Sequence, residues 1–160
     1  PMPREIERKF LVTSDDWKAK ATGEFYCQGY IATAAPGNSV RVRIAGTRAY
    51  LTIKGPTEGL SRAEFEYDVP IKDAQEKLGT LCERPLIEKT RYRLPLGSIT
   101  WEIDEFKGEN AGLIVAEIEL EDENQPFDKP DWLGKEVSGD PKYYNANLVR
   151  NPYSKWNTSK

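Results

Sequence analysis

Glu5, Glu7 and Lys9 recur at every second position in the stretch EIERK, and the pattern returns along the chain with the signs sorted by segment. Arg41 and Arg43 alternate in VRVRI, and Lys89, Arg91 and Arg93 alternate in EKTRYRL. Glu102 and Asp104 do so in TWEIDEF, Glu117, Glu119 and Glu121 in LIVAEIELE, and Arg62, Glu64 and Glu66 in SRAEFEYDV. Lys54 shares a face with Tyr50 and Thr52 in YLTIKG. In an extended chain, alternate side chains point to one face. Like charges repeated on a face repel, so each needs a neighbour of opposite sign or a ligand. Guanidinium and ammonium groups bind phosphate oxygens, arginine often through two parallel bonds. Clustered carboxylates bind hard cations such as Mg²⁺ or Mn²⁺, which in turn bridge phosphates. The chemistry implied is capture of a small polyanion together with a divalent metal.

Composition narrows this further. There is no histidine, which removes an imidazole base, Ser-His and Cys-His nucleophiles and the HExxH zinc site. Cys27 and Cys82 belong to no CxxC and read as two reduced, partly buried thiols of a cytoplasmic protein. A net charge of −3, from 23 basic and 26 acidic residues, argues against a general nucleic-acid binder. The charged N-terminus is no signal peptide, and no apolar run nears the ~20 residues of a membrane helix. Pro1 ahead of Met2 reads as a cloning or processing remnant.

The elements that must position these charges are strands. At 160 residues the chain is read as one domain, 1–160. Opposite the charges stand Ile6 and Phe10 (with Arg8 between them), Val40, Val42 and Ile44, Leu51 and Ile53, and Ala63, Phe65 and Tyr67. Thr90, Tyr92 and Leu94, then Trp101 and Ile103, then Ala116, Ile118 and Leu120 continue the series. Each is a period-two signal bounded by turn residues. Helices are fewer. Ser14 is placed to cap a short one through Lys18, and a second is expected from about Asp73 to Leu81, ending near Gly79. DWLGKEVSGD and DPKYYNANLVRN read as two more, the latter with Asp140 as cap and Pro141 at its first position. The fold expected is α+β and β-dominated. A closed antiparallel barrel satisfies both faces, with charges lining the lumen and apolar residues turned outward onto covering helices.

EIERK matches the ExExK signature of CYTH domains, the triphosphate tunnel metalloenzymes. VRVRI, LTIKG, SRAEFEY, IEKTRYRL, WEIDEF, AEIELE and GKEVSGDPKYYNANL follow in the order and approximate spacing of bacterial members, so the chain resembles that family over nearly its whole length. The resemblance implies an eight-stranded tunnel that binds triphosphates with Mg²⁺ or Mn²⁺. It implies Glu5, Glu7, Glu117 and Glu119, with Asp104, as metal-binding positions. Lys9, Arg41, Arg43, Lys54, Arg62, Lys89 and Arg91 would hold the triphosphate. Lys89 is assigned a place close to the chemistry, and Glu64 or Glu66 is the candidate to orient the attacking water, with Glu119 or a lysine as alternatives. Arg93, Glu102 and Glu121 are expected at the tunnel mouths or paired with neighbours, and Arg8 outside. The activity implied is hydrolysis of inorganic tripolyphosphate. A class IV adenylate cyclase or a thiamine or RNA triphosphatase on the same fold, and a non-catalytic polyphosphate-binding module, are the other readings. Tyr26, Tyr30, Tyr143 and Tyr144 are available to stack on an organic group. No nucleic-acid or membrane partner is expected, and the resemblance is compatible with a homodimer.

Overall fold

Every alternating segment forms a strand. The structure, a computed structural model, describes residues 4–34 and 37–156; the remnant inferred at Pro1 lies outside them. Nine strands form among the described residues: β1 (Arg4–Val12), β2 (Thr22–Ala34), β3 (Asn38–Ala45), β4 (Arg48–Lys54), β5 (Ser61–Asp68), β6 (Ile87–Leu96), β7 (Ile99–Phe106), β8 (Ile114–Glu119) and β9 (Leu133–Glu136). The first eight close into an antiparallel barrel in the order β5-β4-β3-β2-β6-β7-β8-β1, with β1 returning to β5. β1 gives one edge to β8. Its other edge is shared: Arg4–Ile6 pair with β5, whereas Phe10 and Val12 pair with β9. This is the expected eight-stranded barrel with one added strand.

The apolar faces point outward, as the alternation requires. Phe10, Trp101, Ile103, Ala116 and Ile118 form one outer core, covered by Trp17 and Trp132 from the adjoining loops. Val42 and Ala49 are covered by Ala74 and Leu78 of α1 (Ile71–Thr80). Arg8 lies outside with them, its guanidinium holding both oxygens of Glu136 at 2.6 and 2.8 Å. Cys27 and Cys82 are free thiols.

One end of the barrel is treated differently. Leu11, Ile87, Phe106 and Val115 continue the inward-facing sets of Lys9, Lys89, Asp104 and Glu117, yet they are apolar. They pack on Tyr143, Leu148 and Val149, the last two from α2 (Asn145–Arg150). The C-terminal segment therefore seals this sector of the barrel end.

Several local expectations are corrected. DWLGKEVSGD is not a helix: its centre is β9, because the free length of β1 offers unpaired backbone groups that a helix would leave unmet. Gly134 permits the approach, since a Cβ there would stand 3.1 Å from the Leu11 carbonyl oxygen. No α-helix follows Ser14. Its Oγ accepts from the Asp16 N–H, and only a 3₁₀ turn forms at Lys18–Lys20, because burying Trp17 draws the chain across the outer wall. α1 starts two residues earlier than expected, directly after Pro70, and runs past Gly79. Asp140 does cap, accepting from the Lys142 N–H with Pro141 at the first position, but this turn closes at Tyr143 and α2 begins separately. β2 was not anticipated, because its inward face carries Tyr26, Gln28 and Tyr30 rather than a row of charges.

Candidate active site

The lumen is a cavity of about 900 Å³. Cross-strand register brings the two signs together there: Arg91 faces Asp104, Lys9 faces Glu117, Lys54 faces Glu64 and Glu5 faces Arg62. All fourteen predicted site residues occupy inward positions, but they divide into three environments.

The first is a buried cationic cluster. Asp104 is 1% exposed, and both its oxygens are taken. Arg91 grips it in fork geometry at 2.8 and 2.9 Å, and the Lys89 ammonium, also 1% exposed, stands 2.8 Å away. Burial and these two cations set opposing pulls on Asp104, and the cations win, holding its carboxyl well below the usual range. Burial pushes Lys89 down to about 7, with Asp104 opposing and Arg91 and Arg43 reinforcing. Burial likewise lowers Arg43 to about 9, aided by Arg41 and Arg91, so it stays cationic at neutral pH. Arg41 donates to Thr52 at 3.2 Å, and Thr52 donates to Glu66 at 2.8 Å. The Arg41 Nε is buried with no partner. A donor left unmatched in a cationic wall fits an anionic ligand.

The second is a wall of carboxylates. Glu5, Glu7, Glu64 and Glu119 face the cavity from β1, β5 and β8. Lys54 sits 2.6 Å from Glu5 and 3.6 Å from Glu64. Lys9 lies 3.6 Å from Glu7 and 3.5 Å from Glu117. Burial pulls the Lys9 ammonium down, but Glu117, Glu7 and Glu5 outweigh it and raise its pKa. Two lysines do not neutralise the wall. Burial, then Glu5, Glu64 and Glu7, push Glu119 up to about 7, and burial with Glu5 raises Glu64. No three acids are gathered into a preformed chelate among the described residues. In donor type and charge the wall fits a hard divalent ion, since its donors are carboxylate oxygens and negative charge is in excess. Asp104, engaged twice over, stands apart from this wall.

The third is the rim. Arg62 donates to the Gly55 and Gly37 carbonyls at 2.8 and 3.0 Å, which ties its guanidinium to two loops. Glu102 pairs with Arg91 at 3.2 Å and Arg93 at 3.3 Å. Glu121 lies past the end of β8, exposed, its N–H donating to Gln125.

Four further side chains contribute to the site. Tyr26 is buried between the guanidinium groups of Arg43 (4.8 Å) and Arg91 (5.3 Å), and its hydroxyl accepts from Arg93 at 3.0 Å. Thr52 bridges Arg41 and Glu66. Gln28 accepts from Arg43 Nε at 2.7 Å, and Asn145 of α2 accepts from both Gln28 and Lys89. The alternation of β4 already placed Thr52 inward; nothing in the sequence pattern marks Asn145.

Comparison with known proteins agrees with this arrangement. The chain is 55% identical over 152 residues to an inorganic triphosphatase of Acetivibrio thermocellus, covering 95% of this chain and 97% of that one. It is 38% identical over 153 residues to an inorganic triphosphatase of Nitrosomonas europaea, covering 91% and 96%. A crystal structure of an inorganic triphosphatase superposes with a TM-score of 0.65 at 32% identity, covering 90% of this chain and 96% of the other. With residues 3–153 matching the CYTH domain, and a charge-lined eight-stranded barrel built from those same residues, the chain belongs to the CYTH family.

Proposed function

We propose that this protein hydrolyses inorganic tripolyphosphate to pyrophosphate and phosphate, with Mg²⁺ or Mn²⁺ at the acidic wall. The observation that carries the reading is the pairing of a cationic wall with an under-neutralised carboxylate wall across one cavity, in a chain whose relatives are inorganic triphosphatases. Such a site complements a polyanion and its counter-cation at once. Among organic triphosphates the stacking surfaces are scarce. Tyr26 is buried with the guanidinium groups of Arg43 and Arg91 over its ring, and Tyr30 and Tyr143 pack into the apolar cluster at the barrel end. Tyr144, beside Lys9, and Tyr50 of β4 keep places on the cavity wall.

Water attacks a terminal phosphorus, the anhydride P–O bond breaks, and pyrophosphate departs with the bonding pair. Arg41, Arg43, Arg91 and Lys89 hold the phosphate oxygens in place, so their charge is already oriented when negative charge shifts to the leaving oxygen. Glu5, Glu7, Glu119 and, further along, Glu117 would hold the metal, which supplies charge neutralisation and a water of lowered pKa. Glu64 accepts the proton of the attacking water. Its raised pKa suits that task, while Glu66 is engaged by Thr52.

The test is phosphate release from tripolyphosphate, ATP, thiamine triphosphate and pyrophosphate with Mg²⁺, Mn²⁺ or EDTA, with cyclic AMP assayed in parallel. Tripolyphosphate turnover well above the rest, abolished by EDTA, is expected. Cyclic AMP as main product, or binding without turnover, would overturn the proposal.

A further inference from the structure

Lys89 has four rotatable side-chain bonds and sits at the bottom of the cavity, where an ammonium displaced by an ångström would miss its phosphate oxygen. The barrel restrains it from one side through Asp104 at 2.8 Å. The second restraint comes from outside the barrel. Asn145, the first residue of α2, accepts from Lys89 Nζ at 2.9 Å. Its amide cannot turn over. Arg43 Nε can only donate, so Gln28, fully buried, must present Oε1 to it at 2.7 Å. The Gln28 NH₂ then faces Asn145 at 3.0 Å, and the Asn145 group that meets it must be Oδ1. The same oxygen receives Lys89. Asp104 and Asn145 thus occupy two of the three ammonium hydrogens, leaving the third for the ligand.

We infer that Asn145 is a positioning residue for Lys89, held in register by Gln28, so that the C-terminal helix sealing the barrel end also sets the geometry of the reaction. This rests on the triphosphatase reading only in that Lys89 serves the chemistry. Leu148 and Val149 seat α2 on Ile87 and Phe106, which places Asn145 where the apolar end meets the charged cavity.

The test measures kcat and KM for Asn145→Ala, Asn145→Asp and Gln28→Leu, and for Asn145→Ala in a Lys89→Ala background, on whichever triphosphate the wild type turns over. A wrong substrate assignment then shows in the wild type, and a wrong inference only in the ratios. Asn145→Ala should lower kcat at least about tenfold with little change in KM, as expected for misplacement of a reacting-centre group. Asn145→Asp, which keeps the accepting oxygen, should recover part of the loss. Gln28→Leu, which leaves α2 intact, should lower kcat in the same direction even if Asn145→Ala fails to fold. In the Lys89→Ala background, Asn145→Ala should change kcat less than about twofold. The inference is overturned if Gln28→Leu or Asn145→Ala matches wild-type kcat, if Asp rescues nothing, or if the full loss recurs without Lys89.

Discussion

Replacing Asp104 by asparagine separates two roles that an acid in this lumen could play. Asp104 is 1% exposed and is the shared anion for Lys89 and Arg91. Removing one partner of a buried ion pair costs about 3–5 kcal/mol, because the remaining charge is left uncompensated. In a domain of this size each kcal/mol corresponds to about 2–4 °C, so Tm should fall by about 6–20 °C. The assay is calorimetric melting at neutral pH in EDTA, with circular dichroism to confirm the fold. Adding Lys89→Met should restore part of the loss, since one of the two uncompensated cations is then gone; coupling of about 0.5–3 kcal/mol is expected between such contacts. A carboxylate of the metal wall behaves oppositely, because amidation relieves repulsion in the metal-free protein. An Asp104→Asn Tm equal to or above wild type in EDTA would therefore refute the assignment of Asp104 to the ion triad.

Glu119 supplies that contrasting case. Its carboxyl is raised from 4.5 to about 7, so between those values the folded protein holds a proton that the unfolded chain has lost. Stability of the metal-free protein therefore falls as pH rises through this window, and Glu119→Gln should melt higher than wild type at pH 8 in EDTA yet bind Mg²⁺ more weakly by calorimetry. Lys89, lowered to about 7, carries its charge below that pH and loses it above. The kcat/KM of the wild type should decline as pH rises through about 7, while a bound polyanion shifts the limb of kcat upward. Lys89→Arg keeps its charge throughout, so a pH–rate profile showing the same limb in that variant would rule the lysine out.

The barrel was legible because charged residues at period two mark β1, β3, β5, β6, β7 and β8: the same residues announce the strand and its inward face. β2 lacks that coincidence. Its lumen residues Tyr26 and Gln28 are uncharged, and their importance arises from Arg43 and Arg91 on neighbouring strands. β9 exists because β5 leaves part of β1 unpaired, a fact of closure rather than of local sequence. The alternation of β7 turns Asp104 inward, but which partner claims its oxygens depends on the Arg91–Asp104 register. Asn145 is invisible for the same reason, since its position is set by where α2 docks.

The split edge of β1 has a mechanical consequence. Among the described residues, closure onto β5 runs through Arg4–Ala63, Glu5–Arg62 and Ile6–Ser61, before β9 takes over the edge further along. This is the seam of the cylinder, and the carboxylates of Glu5 and Glu64 lie across it with Lys54 as their clasp. Their mutual repulsion pries at a short stretch of backbone pairing in the wall. Whatever neutralises these acids also pulls the seam together, so loading the cavity and zipping the cylinder are one equilibrium. Amide hydrogens of Glu5 to Glu7 and Ser61 to Ala63 are the natural place to watch it shift.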